Sequence, residues 1–247
     1  MSKFRLEKYN LTELKQMASR MDLPPRRSKT EMIKDISSAF AEYEEYKKDK
    51  IDRYTRISQL GEKGKEGTTY LVLDANGKEY AMKTFRKGKS SATLHREYSL
   101  QKKASRKGVA PKVYDYDTVG KWILMEKMDS HLITDLNHIN LSKKQQERII
   151  DIFKRLDDSR VLQGDANILN LMVKNGEIYL IDYGFAKEIT PQLCKKLGTE
   201  HPNYHSMTIG FILKLKEHGA SEKSYRYLLK HVSKEDKVKY HLNTIQS

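Results

Sequence analysis

The chain has 247 residues, of which 38% are hydrophobic and 32% charged, and this composition is sufficient for one or two folded domains. Its single cysteine, Cys194, excludes an internal disulfide, and no stretch resembles a secretion signal or the roughly 20 apolar residues of a membrane-spanning helix, so an intracellular protein without a membrane partner is expected. The net charge of +14 makes polyanions such as nucleic acid the first partners to consider, although an ordinary solvated basic face would also account for it.

The first segment, residues 1–38, carries the pattern of two amphipathic helices. Apolar residues at helical spacing after a cap at Asn10 or Thr12 predict the first helix. Ser28, followed three residues later by Glu31, predicts a capping box at the start of the second helix. Two consecutive prolines between them force the connecting segment to be extended.

A helical linker is expected at residues 39–52, and from residue 53 the pattern changes to alternating, strand-like stretches. One helix is expected at Leu94–Ala104, and most of the second half is expected to be helical. Asn-Gly pairs at 76–77 and 175–176 predict hairpin turns. The predicted strands are Tyr54–Leu60, Thr68–Leu73, Lys78–Thr84, Lys112–Asp117, Lys121–Lys127, Leu171–Lys174 and Ile178–Ile181.

The turn between the first two of these strands contains Gly61, Gly64 and Gly67, with two lysines among them. Glycines there let backbone amides approach phosphate oxygens, although glycine-rich turns are also common without a ligand. Further on, Lys83 lies on an otherwise apolar strand, where a charge needs a partner, and Glu97 in the following helix is the natural candidate. Taken alone, the pair would be interpreted as a surface lysine on an edge strand and a solvated glutamate.

Three further polar residues are spaced so that they can meet at one site. Asp165 and Asn170 lie five residues apart just before a predicted strand, and Asp182 ends the next strand. Because a hairpin joins these two strands, the three side chains can converge. Hard oxygen ligands of this kind suit magnesium, which in turn takes phosphate oxygens to complete its shell.

In this order and spacing, these features resemble the eukaryotic-like protein kinase family over residues 54–212. The resemblance implies an α+β, two-lobed fold, with a small β-rich lobe at 53–126 and a helical lobe at 127–247. It also implies ATP and magnesium as cofactors. The roles that it implies are Gly61, Gly64 and Gly67 covering the nucleotide, Lys83 holding its phosphates, Glu97 orienting Lys83, Asp165 accepting the substrate hydroxyl proton, Asn170 and Asp182 holding magnesium, Met125 as gatekeeper, and the backbone of Glu126 and Met128 meeting the adenine.

The sequence also departs from the family pattern. The first two glycines are three residues apart rather than two, and only about twenty residues without an Ala-Pro-Glu motif separate Gly184 from the helix at 206–213. A short peptide-binding platform of this kind is similar to that of compact atypical kinases, such as the small kinase of the KEOPS assembly and kinases of large DNA viruses, and to antibiotic- and choline-type kinases. The remaining departures are Gln163-Gly164 for His-Arg, Asn167 for lysine, Tyr183 for phenylalanine and His205 for aspartate.

Residues 9–36 resemble the SAP domain, a helix-extended-helix module that binds DNA. By this resemblance Arg26, Arg27 and Lys29, near the start of the second helix, would contact DNA phosphates. A helical hairpin that binds protein is the alternative for the same pattern.

The sequence therefore predicts a protein kinase that transfers the ATP γ-phosphate to Ser or Thr of a protein substrate, held near DNA by its N-terminal module. The alternatives are a catalytically silent kinase fold acting as a DNA-bound scaffold, and a kinase that acts on a small molecule. A compact, basic kinase with a DNA module also suits a large DNA virus. The expected location is the nucleus or cytoplasm, or the virion or infected cell if the protein is viral.

Overall fold

The computed structural model describes residues 6–21, 23–50 and 53–242, and at residue 20 and residues 43–50 it describes the backbone only. Two compact units divide the chain. The first takes the residues up to Thr55 together with Asp74–Asn76, and the second takes Arg56–Leu73 and the residues from Gly77 onward. None of the described helices combines the length and the apolar character needed to cross a membrane.

The first unit contains helices α1 (Leu11–Arg20) and α2 (Lys29–Lys50). Asn10 caps α1 in a capping box, because its Oδ1 accepts from the Glu13 amide at 3.0 Å and Glu13 Oε2 accepts from the Asn10 amide at 2.8 Å. The two helices pack through a small apolar core of Leu6, Leu14, Ala18, Met32 and Ile36. This unit therefore has a core of its own.

Helix α2 is longer than the second helix of the predicted module. It runs without a break for 22 residues from Lys29, so the predicted boundary at residue 38 falls inside one helix. Residues 51 and 52 of the predicted linker lie outside the described residues. The mixed charge and helical spacing that predicted a helical linker here are those of a continuous helix.

The second unit begins with a five-stranded antiparallel sheet of order β1-β2-β3-β5-β4, and helix α3 packs against it. Strand β3 lies between β2 and β5, so Lys83 is on a central strand and the reading of it as an edge-strand residue is excluded. Gly77 has a φ of +75° in the β2–β3 turn, as the Asn-Gly signal predicts. The bounds are β1 (Thr55–Leu60), β2 (Gly67–Leu73), β3 (Glu79–Phe85), α3 (Ser91–Arg106), β4 (Val113–Asp117) and β5 (Trp122–Met125).

The remainder of the second unit is mainly helical, with short strands between the helices. Its apolar core includes Phe153 and Phe211, whose rings meet edge to face at 6.3 Å. The bounds are β6 (Ser130–His131), α4 (Lys143–Asp158), β7 (Val161–Leu162), β8 (Leu171–Lys174), β9 (Glu177–Leu180), β10 (Lys187–Glu188), α5 (Pro191–Leu197), α6 (Thr208–Glu217), α7 (Arg226–Leu229) and α8 (Lys234–Lys239). One sheet has the order β6-β8-β9 and another pairs β10 with β7.

This is the mixed α/β architecture, with a sheet region followed by helices, that the sequence predicts. The β8–β9 hairpin turns at Asn175 and Gly176, whose φ values are +50° and +78°. Both values are positive, as the tight Asn-Gly turn requires. The hairpin places the segment before β8 and the segment after β9 side by side, since the Ile181 amide donates to the Asn170 carbonyl at 2.8 Å.

Candidate active site

Lys83 contacts two carboxylates that are distant from it in sequence. From β3 its Nζ lies 2.7 Å from Oε1 of Glu97 in α3 and 2.9 Å from Oδ1 of Asp182, just after β9. The Glu97 side chain is only 1% exposed and that of Lys83 16% exposed, so these charges interact with little screening by water. The sheet, α3 and the end of the hairpin thus meet at one charged centre.

The electrostatics of this centre favour the charged forms of Lys83 and Asp182. Burial by itself would lower the pKa of Lys83, but attraction to Glu97 and Asp182 and the hydrogen bonds to them outweigh it, and the pKa is raised. Burial likewise would raise the pKa of Asp182, yet the charge of Lys83 and its hydrogen bond hold that pKa below its usual value. Each of the two groups therefore stabilises the charged form of the other.

A second lysine, which the sequence analysis did not identify, shares the same glutamate. Lys89 Nζ contacts Oε2 of Glu97, and it lies 2.7 Å from Oε2 of Glu66 at the end of the glycine-rich turn. The Lys89 side chain is 7% exposed, so it is as much part of the buried network as Lys83. Oxygens of Glu66, Glu97 and Asp182 come within 4.8 Å of one another, and the two ammonium groups form ion pairs with these three carboxylates.

Asp165 and Asn170 contact each other directly. Asn170 Nδ2 donates to Asp165 Oδ2 at 2.9 Å, and the Asn167 amide donates to Asp165 Oδ1 at 3.2 Å. Because its amide nitrogen is used in this way, Asn170 has its side-chain oxygen left for a cation. That oxygen and the Asp182 carboxylate are hard donors, and this donor set fits magnesium.

The glycine-rich turn lies close to Asp182. A Cβ on Gly67 would be 2.2 Å from the Thr84 carbonyl, so that position has no room for a side chain, and a Cβ on Gly184 would be 2.6 Å from Glu66 Oε2, so the Glu66 carboxylate would have to move. Gly61 has a φ of +68°, which favours glycine at the start of the turn. Gly64 accepts a long hydrogen bond from Arg86 through its carbonyl, at 3.4 Å.

The segment after β5 carries the residues expected at the adenine. The amide of Glu126 donates to the Lys112 carbonyl at 2.8 Å, so only its carbonyl remains for a ligand. The amide of Met128 donates no hydrogen bond to another residue within 6–21, 23–50 and 53–242. Met125 is partly buried, and its sulfur lies 3.6 Å from Nε2 of Gln101. One backbone acceptor and one backbone donor are thus available there.

Two of the departures from the kinase pattern have a structural counterpart. Within the described residues, the His205 side chain makes no hydrogen bond to residues 163–170, and its Nε2 contacts Asp236 Oδ2 at 2.9 Å. Instead Asn203, fully buried, accepts from the Gln163 amide at 3.0 Å and donates to Asp157 Oδ1 at 2.7 Å. Asn203 and Asp157 carry no signal in the sequence, because neither lies in a motif and their contact depends on how α4 packs.

Asp157 is a buried carboxylate without a basic side chain in hydrogen-bond contact among the described residues. Burial is the main influence and raises its pKa, although hydrogen bonds from the Tyr204 and Asn203 amides act in the opposite direction. Those bonds are 2.9 Å each, and the Asn203 side chain adds a third. The carboxylate fixes the five-residue π-helical turn at Asn203–Met207 to α4.

The residues expected at DNA lie at the start of α2 in the first unit. Arg26 Nε contacts Asp35 Oδ2 at 2.6 Å, and Lys29 Nζ donates to the Glu7 carbonyl at 2.9 Å. Arg27 is exposed, and within the described part of the chain it forms no ion pair. Of the three predicted contacts, Arg27 is therefore the one whose charge is least engaged by the protein itself.

Comparison with protein families gives one match. The family model described as the ABC1 atypical kinase-like domain matches residues 89–199, just under half of the chain. The chain is a protein-kinase-like protein. The matched stretch of this kinase-like protein contains Glu97, Asp165, Asn170 and Asp182, whereas Lys83 and the glycine-rich turn precede it. No curated protein matches the chain significantly.

The match accounts for the general chemistry of such a fold, which uses ATP and magnesium. It does not reach the first unit, so the DNA-binding role of Arg26, Arg27 and Lys29 stays a prediction, as does a viral origin. The individual roles of the site residues are likewise predictions, which the geometry above makes testable.

Proposed function

We propose that the protein is an ATP- and magnesium-dependent kinase that transfers the γ-phosphate to a Ser or Thr hydroxyl of a protein substrate. The observation that carries this proposal is the contact of Lys83 with both Glu97 and Asp182, at 2.7 and 2.9 Å. Burying a lysine between two carboxylates costs desolvation energy and adds little net stability. Folding alone therefore does not explain this arrangement. The Lys83 ammonium could instead exchange one of its two carboxylate partners for the phosphate oxygens of a nucleotide.

The proposed roles follow from the charge and the donor or acceptor atoms that each side chain can offer to a ligand. The Lys83 ammonium would pair with the nucleotide phosphates while Glu97 keeps it oriented, and Asp182 with Asn170 would hold magnesium. Bound there, magnesium would supply positive charge that stabilises the oxygens of the transferred phosphoryl group. Asp165 would accept the proton of the attacking hydroxyl, and its contact with Asn170 at 2.9 Å keeps it beside the metal ligands.

Nucleotide binding would draw on the backbone at two places. The turn of Gly61, Gly64 and Gly67 would cover the phosphates, and its close approach to Gly184 supports this position. At the other end, the Glu126 carbonyl and the Met128 amide offer an acceptor and a donor to an adenine ring. Met125, at the end of β5, would limit the depth of that pocket.

The decisive experiment measures transfer of radiolabelled γ-phosphate from ATP to histone, to casein and to the protein itself. Asp165→Asn is expected to lower the rate by at least about 100-fold, because the general base is lost while the shape is kept. Asp158→Asn is the matched control, since Asp158 is an exposed acid near the end of α4. Unchanged transfer in Asp165→Asn would contradict the proposed base, and no transfer by the wild type with magnesium or manganese would support a silent scaffold.

A small-molecule acceptor is the second candidate, and the segment after Gly184 favours it. Between Gly184 and Asn203 there are only the two-residue strand β10 and the seven-residue helix α5, so little surface is available to hold a peptide. Absence of protein phosphorylation together with strong phosphorylation of a metabolite in a substrate panel would support this candidate.

The proposal includes DNA as a partner that brings the kinase to its substrate. Its support is the resemblance of residues 9–36 to a DNA-binding module and the net charge of +14. A kinase placed on DNA would act on proteins bound there, in the nucleus, the cytoplasm or a virion according to its origin.

A further inference from the structure

The side chain of Gln163 is fully buried, and its carboxamide makes three hydrogen bonds. Its Nε2 donates to the Asp182 carbonyl at 2.7 Å and to the Ile181 carbonyl at 3.2 Å. Its Oε1 accepts from the Asp165 amide at 2.8 Å. A primary amide has two N–H donors and one carbonyl oxygen, and each of these three groups is used. One side chain thereby links the backbones of the two acids of the candidate active site.

The hydrogen bonds to the Ile181 and Asp182 carbonyls restrain the backbone conformation of Asp182. Asp182 has a φ of +59°, a conformation that non-glycine residues rarely adopt and that persists only where the surroundings hold it. Gln163 binds the carbonyl on each side of the Asp182 Cα, so it restrains both peptide planes that set this conformation. The direction of the Asp182 carboxylate depends on that restraint.

The backbone of Gln163 is held in turn by a hydrogen bond to the buried side chain of Asn203. Its amide donates to Asn203 Oδ1 at 3.0 Å, and Asn203 Nδ2 donates to Asp157 Oδ1 at 2.7 Å and to the Val161 carbonyl at 2.8 Å. All of these groups are buried. A continuous chain of hydrogen bonds therefore runs from α4 through Gln163 to both acids, and buried networks of this kind are stiff when every member is satisfied.

We propose that Gln163 is a positioning residue that sets the placement of Asp165 relative to Asp182, and through it the affinity of the site for magnesium. This inference rests on the proposed kinase function, since it assigns those two acids to the proton and the metal. Gln163 stands where the kinase pattern has histidine, yet its three hydrogen bonds link the backbones of the two acids. This departure from the pattern therefore supports an intact site rather than a silent one.

The test is Gln163→Met, which keeps the length of the side chain and removes all three hydrogen bonds. The expected result is a rise of about 10-fold or more in the magnesium concentration for half-maximal transfer, with a fall in kcat, as for other residues that orient metal ligands. Gln163→Asn keeps the amide but is one methylene shorter, so it cannot span both loops and should show the same rise. Gln163→Asn therefore replaces Gln163→Met in the test if the methionine variant folds poorly.

Gln146→Met is a closely matched control. Gln146 is 2% exposed, and its Nε2 donates to the carbonyls of Leu141 at 2.8 Å and Lys223 at 2.9 Å while its Oε1 accepts from the Tyr227 amide at 2.9 Å. This repeats the bonding pattern of Gln163 with none of the candidate site residues as partners. Gln146→Met should lower the unfolding temperature and leave the magnesium requirement unchanged.

The outcomes separate the two proposals. An active wild type in which both Gln163 variants have magnesium half-saturation within twofold of Gln146→Met would overturn the role of Gln163 and leave the kinase function standing. A wild type that neither transfers phosphate nor binds Mg-ATP would overturn both. If the wild type binds Mg-ATP without transfer, the magnesium dependence of binding, measured by calorimetry, decides the role of Gln163 by the same twofold criterion.

Discussion

At the scale of single residues, the carboxylate of Glu97 is shared between Lys83 and Lys89, one ammonium on each oxygen. This sharing separates the chemical role of Lys83 from its role in folding. When Lys83 is removed, Glu97 still has Lys89 as a partner, so no buried carboxylate is left alone. When Glu97 is removed, Lys83 and Lys89 both lose their buried counter-charge and keep only the carboxylates of Asp182 and Glu66, which are 42% and 39% exposed.

We therefore predict that one substitution lowers mainly the activity and another lowers mainly the stability. Lys83→Met should lower kcat/KM by at least about 100-fold, because the ammonium that contacts both Glu97 and Asp182 is lost. Its free energy of unfolding should change by less than about 2 kcal/mol. Glu97→Gln should lower that free energy by about 3 to 5 kcal/mol, the usual loss when one partner of a buried ion pair is removed.

The measurements are steady-state kinetics and urea unfolding of both variants, with Lys103→Met as the control. Lys103 forms an ion pair with Glu188 in which both side chains are largely exposed, so its loss should alter neither quantity noticeably. Retained activity in Lys83→Met would refute the assignment of Lys83 to the phosphates. A Glu97→Gln protein as stable as Lys83→Met would refute the sharing of the carboxylate.

The same network shows how far sequence reasoning reaches for individual residues. Lys83 and Glu97 could be paired from the sequence, because a charge on an apolar strand requires a partner and Glu97 lies in the helix that follows. Lys89 could not be identified in this way, because it lies in a loop outside any periodic pattern. From the sequence it cannot be distinguished from an ordinary surface lysine. The contact of Asn203 with Asp157 was equally hidden, since it forms only when the π-helical turn meets α4.

At the scale of elements, the β2–β3 hairpin positions the glycine-rich turn over the site. Gly67 pairs with Phe85 in the register of this hairpin, and the Arg86 amide donates to the Glu66 carbonyl at 3.0 Å. Glu66 can then reach Lys89 beside α3. The close fit at Gly67 therefore determines where the turn lies as well as how the two strands pair.

We predict that Gly67→Ala damages both stability and nucleotide binding. The added Cβ would lie 2.2 Å from the Thr84 carbonyl and 3.0 Å from Phe85 Cα, so the two strands must separate. The expected loss is about 1 to 3 kcal/mol in the free energy of unfolding, with a rise in the KM for ATP as the turn moves away from the site. Urea unfolding and ATP-dependent kinetics measure the two effects.

Gly88→Ala is the control for this substitution, because nothing lies within 4 Å of a Cβ at Gly88 and its φ is not positive. It should leave both stability and the KM for ATP close to the wild-type values. A Gly67→Ala protein that matches Gly88→Ala would show that the strands can accommodate the side chain and that the turn is not set by this contact.

Elements were more predictable than contacts, for reasons visible in particular cases. The Asn-Gly pairs fixed two hairpins because the turn conformation itself selects those residues. Helix α3 begins at Ser91, three residues before the predicted start, because Ser90 caps it through a hydrogen bond to the Thr93 amide. The π-helical turn at Asn203–Met207 had no sequence signal, since the Asn203 and Tyr204 amides that hold it donate to Asp157, which lies in another helix.

At the scale of the whole molecule, the question is whether the positive charge acts as a diffuse surface or through the predicted DNA module. The net charge of +14 is spread over many lysines and arginines, which would attract any polyanion weakly. The module, in contrast, predicts a few contacts around the start of α2. Arg26 and Lys29 are bonded within the first unit, so Arg27 is the residue on which the two explanations differ most.

We predict that Arg27→Ala in the full chain weakens binding to duplex DNA and lowers the slope of log Kd against log salt by about 0.9, the value for one phosphate contact. Lys107→Ala, an exposed residue of the second unit, removes the same net charge and should change neither quantity measurably. Fluorescence anisotropy at several salt concentrations measures both variants. Because the two substitutions alter net charge equally, any difference between them must come from a local contact, and equal losses would assign DNA binding to the diffuse basic surface instead.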